Sequence, residues 1–104
     1  MRWLYHATCE SIPEAGVYAP ASLAREGFIH ASFHEAIAES VKLYFAGDSR
    51  VRILLIDPRR LQSPVEVVAT PRGPMPHILG PVHREAIVAI LHEGELASAP
   101  AVLD

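Results

Sequence analysis

The segment Val51–Ile56 constrains the fold more than any other part of the chain. Val51, Ile53, Leu54, Leu55 and Ile56 are apolar and only Arg52 interrupts them. A strand with one wet face alternates apolar and polar residues, whereas a continuous apolar run needs cover on both faces. The chain must therefore place this strand centrally and supply a layer above and below it. With 104 residues it has room for one such arrangement, so a single domain over 1–104 is expected, with its core over about 3–91. Half of the residues are hydrophobic and 20% charged, a balance that supports a packed core and argues against disorder.

The remaining elements follow from local pattern. Trp3–Thr8 reads as a strand with Leu4, His6 and Thr8 on one face and Trp3 and Tyr5 on the other. Ser11 is placed to cap a short helix over Ile12–Ala15 ended by Gly16, and Val17–Ala19 reads as a brief extended piece. Ser22–Glu26 reads as a turn or two of helix closed by Gly27, before a short strand at Phe28–Ala31. Ser32-Phe33-His34-Glu35 matches a capping box. The helix it opens repeats apolar residues at Phe33, Ile37, Val41, Tyr44 and Phe45 and ends near Ala46. Val65–Thr70 and Ala86–Leu91 read as further strands. Pro71–Pro81 carries four of the nine prolines and is expected to be an irregular loop. Residues 94–104 are expected to form a loose tail. About five strands and two or three helices, interleaved early and strand-rich late, define an α+β domain.

Composition narrows the chemistry. A net charge of −3 argues against a polyanion-coating protein, so nucleic acid is not expected as a partner without a further domain. One Cys excludes an intrachain disulfide and thiolate-rich metal modules. No apolar run approaches the roughly 20 residues of a membrane helix, and the first residues lack the apolar stretch of a signal peptide, so the cytoplasm is the expected location. Oligomeric state is not constrained.

Six His against one Cys is the notable ratio. His6, His30 and His77 fall at strand ends or in the Pro-rich segment. If the strands bearing His6/Thr8 and Phe28/His30/Ser32 are neighbours, their polar ends converge on one cleft, where imidazole can bind hydroxyl and phosphate oxygens. The competing reading for each His is a core residue whose ring nitrogen bonds a backbone carbonyl. His34, His83 and His92 read as surface or boundary residues. No metal site is expected: His30 and His34 straddle a strand-to-helix turn, and no His-Glu-x-x-His motif occurs. Glu10 disfavours a reactive thiolate at Cys9, and no Gly-x-Ser-x-Gly elbow exists. Arg59-Arg60 and Arg72 form a small basic cluster, by default a solvated face and alternatively a phosphate contact.

Four segments carry a resemblance. Leu4-Tyr5-His6-Ala7-Thr8, Glu26-Gly27-Phe28-Ile29-His30-Ala31-Ser32, Leu54-Leu55-Ile56-Asp57-Pro58-Arg59-Arg60-Leu61 and Pro76-His77-Ile78-Leu79-Gly80-Pro81 resemble, in that order, the small bacterial family numbered 952 among domains of unknown function. That family is grouped by fold with the ADP-ribosyltransferase superfamily. The resemblance implies a small split β-sandwich of that type with a nucleotide-sized cleft. A fainter likeness to the NAD-using RNA 2′-phosphotransferases rests on Tyr5-His6, Thr8, His30, Ser32 and Ile56-Asp57. Ala7 stands where those enzymes have glycine. Their additional N-terminal lobe is expected to be missing, and Glu85 lacks the Glu-x-Glu pattern of protein-modifying relatives.

The resemblance implies a cleft that binds NAD, ADP-ribose or a related nucleotide, with NAD as candidate substrate or ligand. Its lining would be His6, Thr8, Phe28, His30, Ser32 and His77, with Tyr18, Phe28 or Tyr44 offering a flat face to the rings. ADP-ribosyl or phosphate transfer is the expected reaction class if the cleft is catalytic. A noncatalytic interaction module that keeps the fold is the alternative.

Overall fold

The computed structural model describes residues 1–103 and is an α+β domain. Strand β1 (Leu4–Thr8) pairs antiparallel with β4 (Arg52–Ile56), and β4 pairs antiparallel with β8 (Ile87–Leu91), giving a sheet of order β1-β4-β8. The apolar run thus occupies the central strand. On one face Leu4, Leu54, Ile56 and Ile87 pack with Tyr18, Ile29 and Ile78. On the other, Tyr5, Ile53 and Leu55 pack with Ile37 and Val41 of helix α2 (His34–Phe45). Ile53, Leu54 and Ile56 are 0% exposed, and full burial of such side chains stabilises by about 1.5–3 kcal/mol each.

Between β1 and α2 lie β2 (Val17–Tyr18), α1 (Ala21–Glu26) and β3 (Ile29–His30). Gly27, at φ +84°, closes α1 by donating its N–H to the Leu23 carbonyl at 2.9 Å. No helix forms at Ile12–Ala15, contrary to expectation. The stretch between Pro13 and the positive-φ Gly16 is too short to recover the cost of a helical nucleus.

The capping box at Ser32 does not form either. The Ser32 N–H and C=O both pair with Tyr5, at 2.8 and 2.9 Å, so Ser32 extends the strand layer and α2 starts two residues later. The Ser32 hydroxyl lies 3.2 Å from Ser40 Oγ within the groove wall, and Glu35 pairs with Arg2 instead.

The Pro-rich segment is the largest departure. Gly73–Ile78 forms β6, in a hairpin with β5 (Val65–Thr70), and β6 also pairs with β3, giving the order β3-β6-β5. Prolines survive there because of parity. The Pro76 carbonyl accepts from Ala31 N at 3.1 Å, on the β3 side. Pro74 and Pro76 share that side, so neither removes a donor from the β5 ladder. Thr70 pairs with Gly73 across the two-residue Pro71-Arg72 connection, and Gly73 supplies the φ of +98°.

The strand β7 (Val82–His83) pairs with β2. The tail is ordered, again contrary to expectation. Glu93–Ser98 forms a 3-10 helix in which the Glu95 carboxylate accepts from His92 N at 2.8 Å and Leu96 is buried. Beyond it Trp3 N donates to Ala101 O at 3.1 Å, Leu103 N donates to Met1 O at 2.8 Å, and Leu103 is buried. His34 is not a free surface residue, because its Nε2 donates to Leu96 O at 2.8 Å and ties α2 to this strap.

Candidate functional site

A groove of about 940 Å³ opens between β1, the end of β3, α2 and the β5–β6 hairpin. His6, Thr8, His30, Ser32 and His77 all line it, so two strand ends and the former loop converge as anticipated. Phe28 does not line it. Its ring stacks on His77 at 3.9 Å between centroids and meets His30 edge-on at 4.6 Å, supporting both imidazoles.

The three histidines are in different chemical situations. His6 is 6% exposed. Its Nδ1 lies 2.5 Å from the His30 carbonyl, which can only accept, so Nδ1 carries the proton. Nε2 therefore accepts from the Tyr18 hydroxyl at 2.8 Å. Thr8 bonds the Tyr18 hydroxyl in turn and also accepts from Glu10 N at 3.0 Å. Burial, opposed in part by the His30 carbonyl, pushes the His6 pKa down to about 4, and burial pushes Tyr18 up to about 12. His6 is thus a neutral wall residue with both ring nitrogens engaged, the arrangement of the competing sequence reading. It has no N–H left for a phosphate, and Tyr18 offers no open ring face.

His30 and His77 are register partners across β3 and β6, with ring centroids 5.6 Å apart. His30 is exposed and pairs with the Glu26 carboxylate at 2.9 Å. Lost solvent and the neighbouring His30 push the His77 pKa down. The lowered pKa favours neutral His77, an imidazole that both donates and accepts at the groove surface.

The opposite wall contains residues that the sequence reading did not bring together. Arg72, in the hairpin turn, reaches α2: its Nη2 donates to Ser40 Oγ at 2.6 Å, and its Nε lies 3.4 Å from a Glu39 carboxylate oxygen. Its Nη1 is buried with no hydrogen-bond partner. Tyr44, 73% exposed, lines the same wall beneath the guanidinium, 5.9 Å from ring centroid to Cζ. The other basic residues of the supposed cluster are engaged elsewhere. Arg59 binds the buried Asp57 carboxylate through Nε and Nη2 at 3.1 and 2.9 Å, and Arg60 reaches it at 3.5 Å, holding the Asp57 pKa below the usual range. They anchor the chain after β4 and do not line the groove. The Thr-Pro-Arg-Gly sequence at 70–73 was the available signal for Arg72, since a proline, a turn residue and a glycine between two apolar stretches specify a tight hairpin.

Nucleophilic and metal chemistry find little support. The Cys9 thiol sits 3.5 Å from Asp48, and desolvation together with that carboxylate pushes its pKa up, away from thiolate. Among the described residues no group of three or more His, Cys, Asp or Glu is placed to hold a metal ion. Glu85 is exposed and outside the groove. Among the described residues no helix is long and apolar enough to cross a membrane.

Residues 4–90 match the model of a family described as protein of unknown function, DUF952, and the chain belongs to that family. Among solved structures, it is similar to the crystal structure of protein CC0527 from Caulobacter crescentus, with a TM-score of 0.71 and 19% identity over 86% of this chain and 84% of that one. A double mutant of the same protein gives a TM-score of 0.71 at 18% identity, with the same coverage. At that identity the likeness establishes a shared fold. No curated protein matches the chain.

Proposed function

We propose that the groove is a nucleotide site for NAD, ADP-ribose or a related molecule, on a scaffold of the ADP-ribosyltransferase type in a cytoplasmic protein. The observation that carries this reading is the convergence of His30, Ser32, His77, Arg72 and Tyr44 on one open groove of about 940 Å³. Small-molecule sites typically span about 300–1,000 Å³ and combine apolar walls with a few convergent polar groups. In this reading Tyr44 stacks on a ring, His30 and His77 contact ribose hydroxyls, and the Arg72 wall faces the phosphates. His6 and Thr8 hold the floor through Tyr18 and leave ligand contact to the opposite side. ADP-ribosyl or phosphate transfer would need a carboxylate near the ribose, and Glu10 and Glu26, the latter paired with His30, both line the groove.

A second reading, a noncatalytic module, is favoured by the engagement of both His6 ring nitrogens and by Glu85 lying outside the groove. Calorimetry or ligand-observed NMR with NAD and ADP-ribose separates the two. Binding that weakens in His77→Ala supports the nucleotide site, and no binding at millimolar ligand removes it.

A further inference from the structure

Among the described groove residues, Arg72 is the one with a buried side-chain donor that lacks a partner. A guanidinium carries five N–H donors in a planar fork suited to two oxygens of one oxyanion. Here Nη2 is fastened to Ser40 by a 2.6 Å bond, which Ser40 extends to Ser32 at 3.2 Å. The Nε contact to Glu39 is loose, at 3.4 Å, and Glu39 is 62% exposed. Nη1 has no partner although it is shielded from water. A buried unsatisfied donor carries a desolvation cost, larger when it is charged, and its presence in a folded protein calls for an explanation, a bound ion among them.

The surroundings show what that state needs. The groups against the guanidinium are Glu39 and Tyr44, both largely exposed and on α2, so both can turn aside without disturbing the core. Glu39 supplies one carboxylate oxygen at poor range, a weak substitute for an anion. Ser40, in contrast, is buried and fixes the guanidinium against the helix.

We propose that Arg72 forms the oxyanion subsite of the groove, taking a phosphate or pyrophosphate group on Nη1 and the remaining N–H of Nη2, and that Glu39, held loosely at Nε, is an internal competitor for the guanidinium. This rests on the nucleotide reading for its biological ligand, though the subsite is defined by its own geometry. The anion compensates Nη1 through a two-point contact along the Nη1–Nη2 edge and outcompetes the loose Glu39 contact, while Ser40 keeps the fork aimed. Removing the competitor therefore strengthens binding, a result that a purely structural clamp between hairpin and helix does not produce.

The test uses the full chain and inorganic pyrophosphate, titrated by calorimetry at low salt, with Glu39→Gln, Arg72→Lys and Arg72→Gln as variants and amide NMR spectra as the check on folding. Glu39→Gln is expected to tighten pyrophosphate by about three- to tenfold, and Arg72→Lys, which keeps the charge but loses the fork, to weaken it about tenfold or more. If the Arg72 variants fail to fold, Glu39→Gln alone decides, because it leaves the Arg72–Ser40 bond in place. Absence of pyrophosphate binding, or binding that Glu39→Gln leaves unchanged, overturns the proposal. NAD binding unaffected by Glu39→Gln and Arg72→Lys also overturns it while leaving the nucleotide site standing. Arg72-dependent pyrophosphate binding without NAD or ADP-ribose binding upholds the subsite and removes the nucleotide reading.

Discussion

The two walls of the groove use similar residues in opposite ways. On the β1 side, His6, Thr8 and Tyr18 bond to one another and to the His30 carbonyl, and burial keeps the imidazole neutral. On the side formed by α2 and the β5–β6 hairpin, Arg72 holds one strong bond, one loose one and an unsatisfied nitrogen. A polar residue in a groove is therefore not by itself a ligand contact. What separates the walls is whether the protein has already satisfied the donors: a saturated network rigidifies its surroundings, and an incomplete one is available for exchange.

The largest expected effect breaks the saturated wall. His6→Ala strands the Tyr18 hydroxyl and the His30 carbonyl and leaves a cavity, so a loss of about 3 kcal/mol is expected. In a thermal melt this appears as a fall of more than about 10 °C, whereas His77→Ala, on a partly exposed ring, is expected to lose less than about 1 kcal/mol. Equal losses in the two variants would erase the contrast between the walls.

Acid titration sharpens the same contrast. His6 protonates near 6.5 in the unfolded chain and only near 4 in the fold. Between those values the unfolded state binds the extra proton, so the stabilisation is complete above about 6.5 and is lost as pH falls toward 4. The total is roughly 3 kcal/mol. Denaturant melts across that window should show the slope in the wild type and a flatter profile in His6→Gln.

Smaller effects belong to the open wall. Ser40→Ala removes the bond that aims Arg72 and is expected to cost about 1 kcal/mol, with faster hydrogen exchange at Arg72 and Gly73 in the hairpin turn. Glu26→Gln breaks an exposed pair with His30, so unfolding free energy should change by no more than about 0.5 kcal/mol. A larger loss would place that pair in the structural network instead.

Much of the fold could be read locally. The apolar run located β4 in the sheet centre, period-two alternation separated the faces of β1, and helical spacing identified Ile37, Val41 and Phe45 on the α2 face that meets Ile53 and Leu55, although Phe33 packs in the other core and Tyr44 is exposed. The misreadings arose where distant partners override local chemistry. Ser32 has the sequence of a helix cap, yet Tyr5 claims its backbone and Ser40 its hydroxyl. Pro74 and Pro76 look like loop residues until parity directs their missing donors away from β5. The tail gains order from residues far away in sequence, Met1, Trp3 and His34, and from the buried site of Leu96. In the groove, His6, His30 and His77 were legible from position, but the engagement of His6 depends on Tyr18, twelve residues away. Arg72 became a groove residue only through a hairpin that its prolines disguised.

The strap that joins the two ends has a mechanical meaning. Met1 and Leu103 are hydrogen-bonded, and Arg2 and Val102 form an antiparallel bridge beside them. A force applied between the ends acts across these bonds and opens them one at a time from the outermost inward, as a zip opens. The β1-β4-β8 ladder feels load only after Trp3 has let go of Ala101. Under tension, the molecule thus has a soft first extension that leaves the groove intact, followed by the stiffer resistance of its central strand.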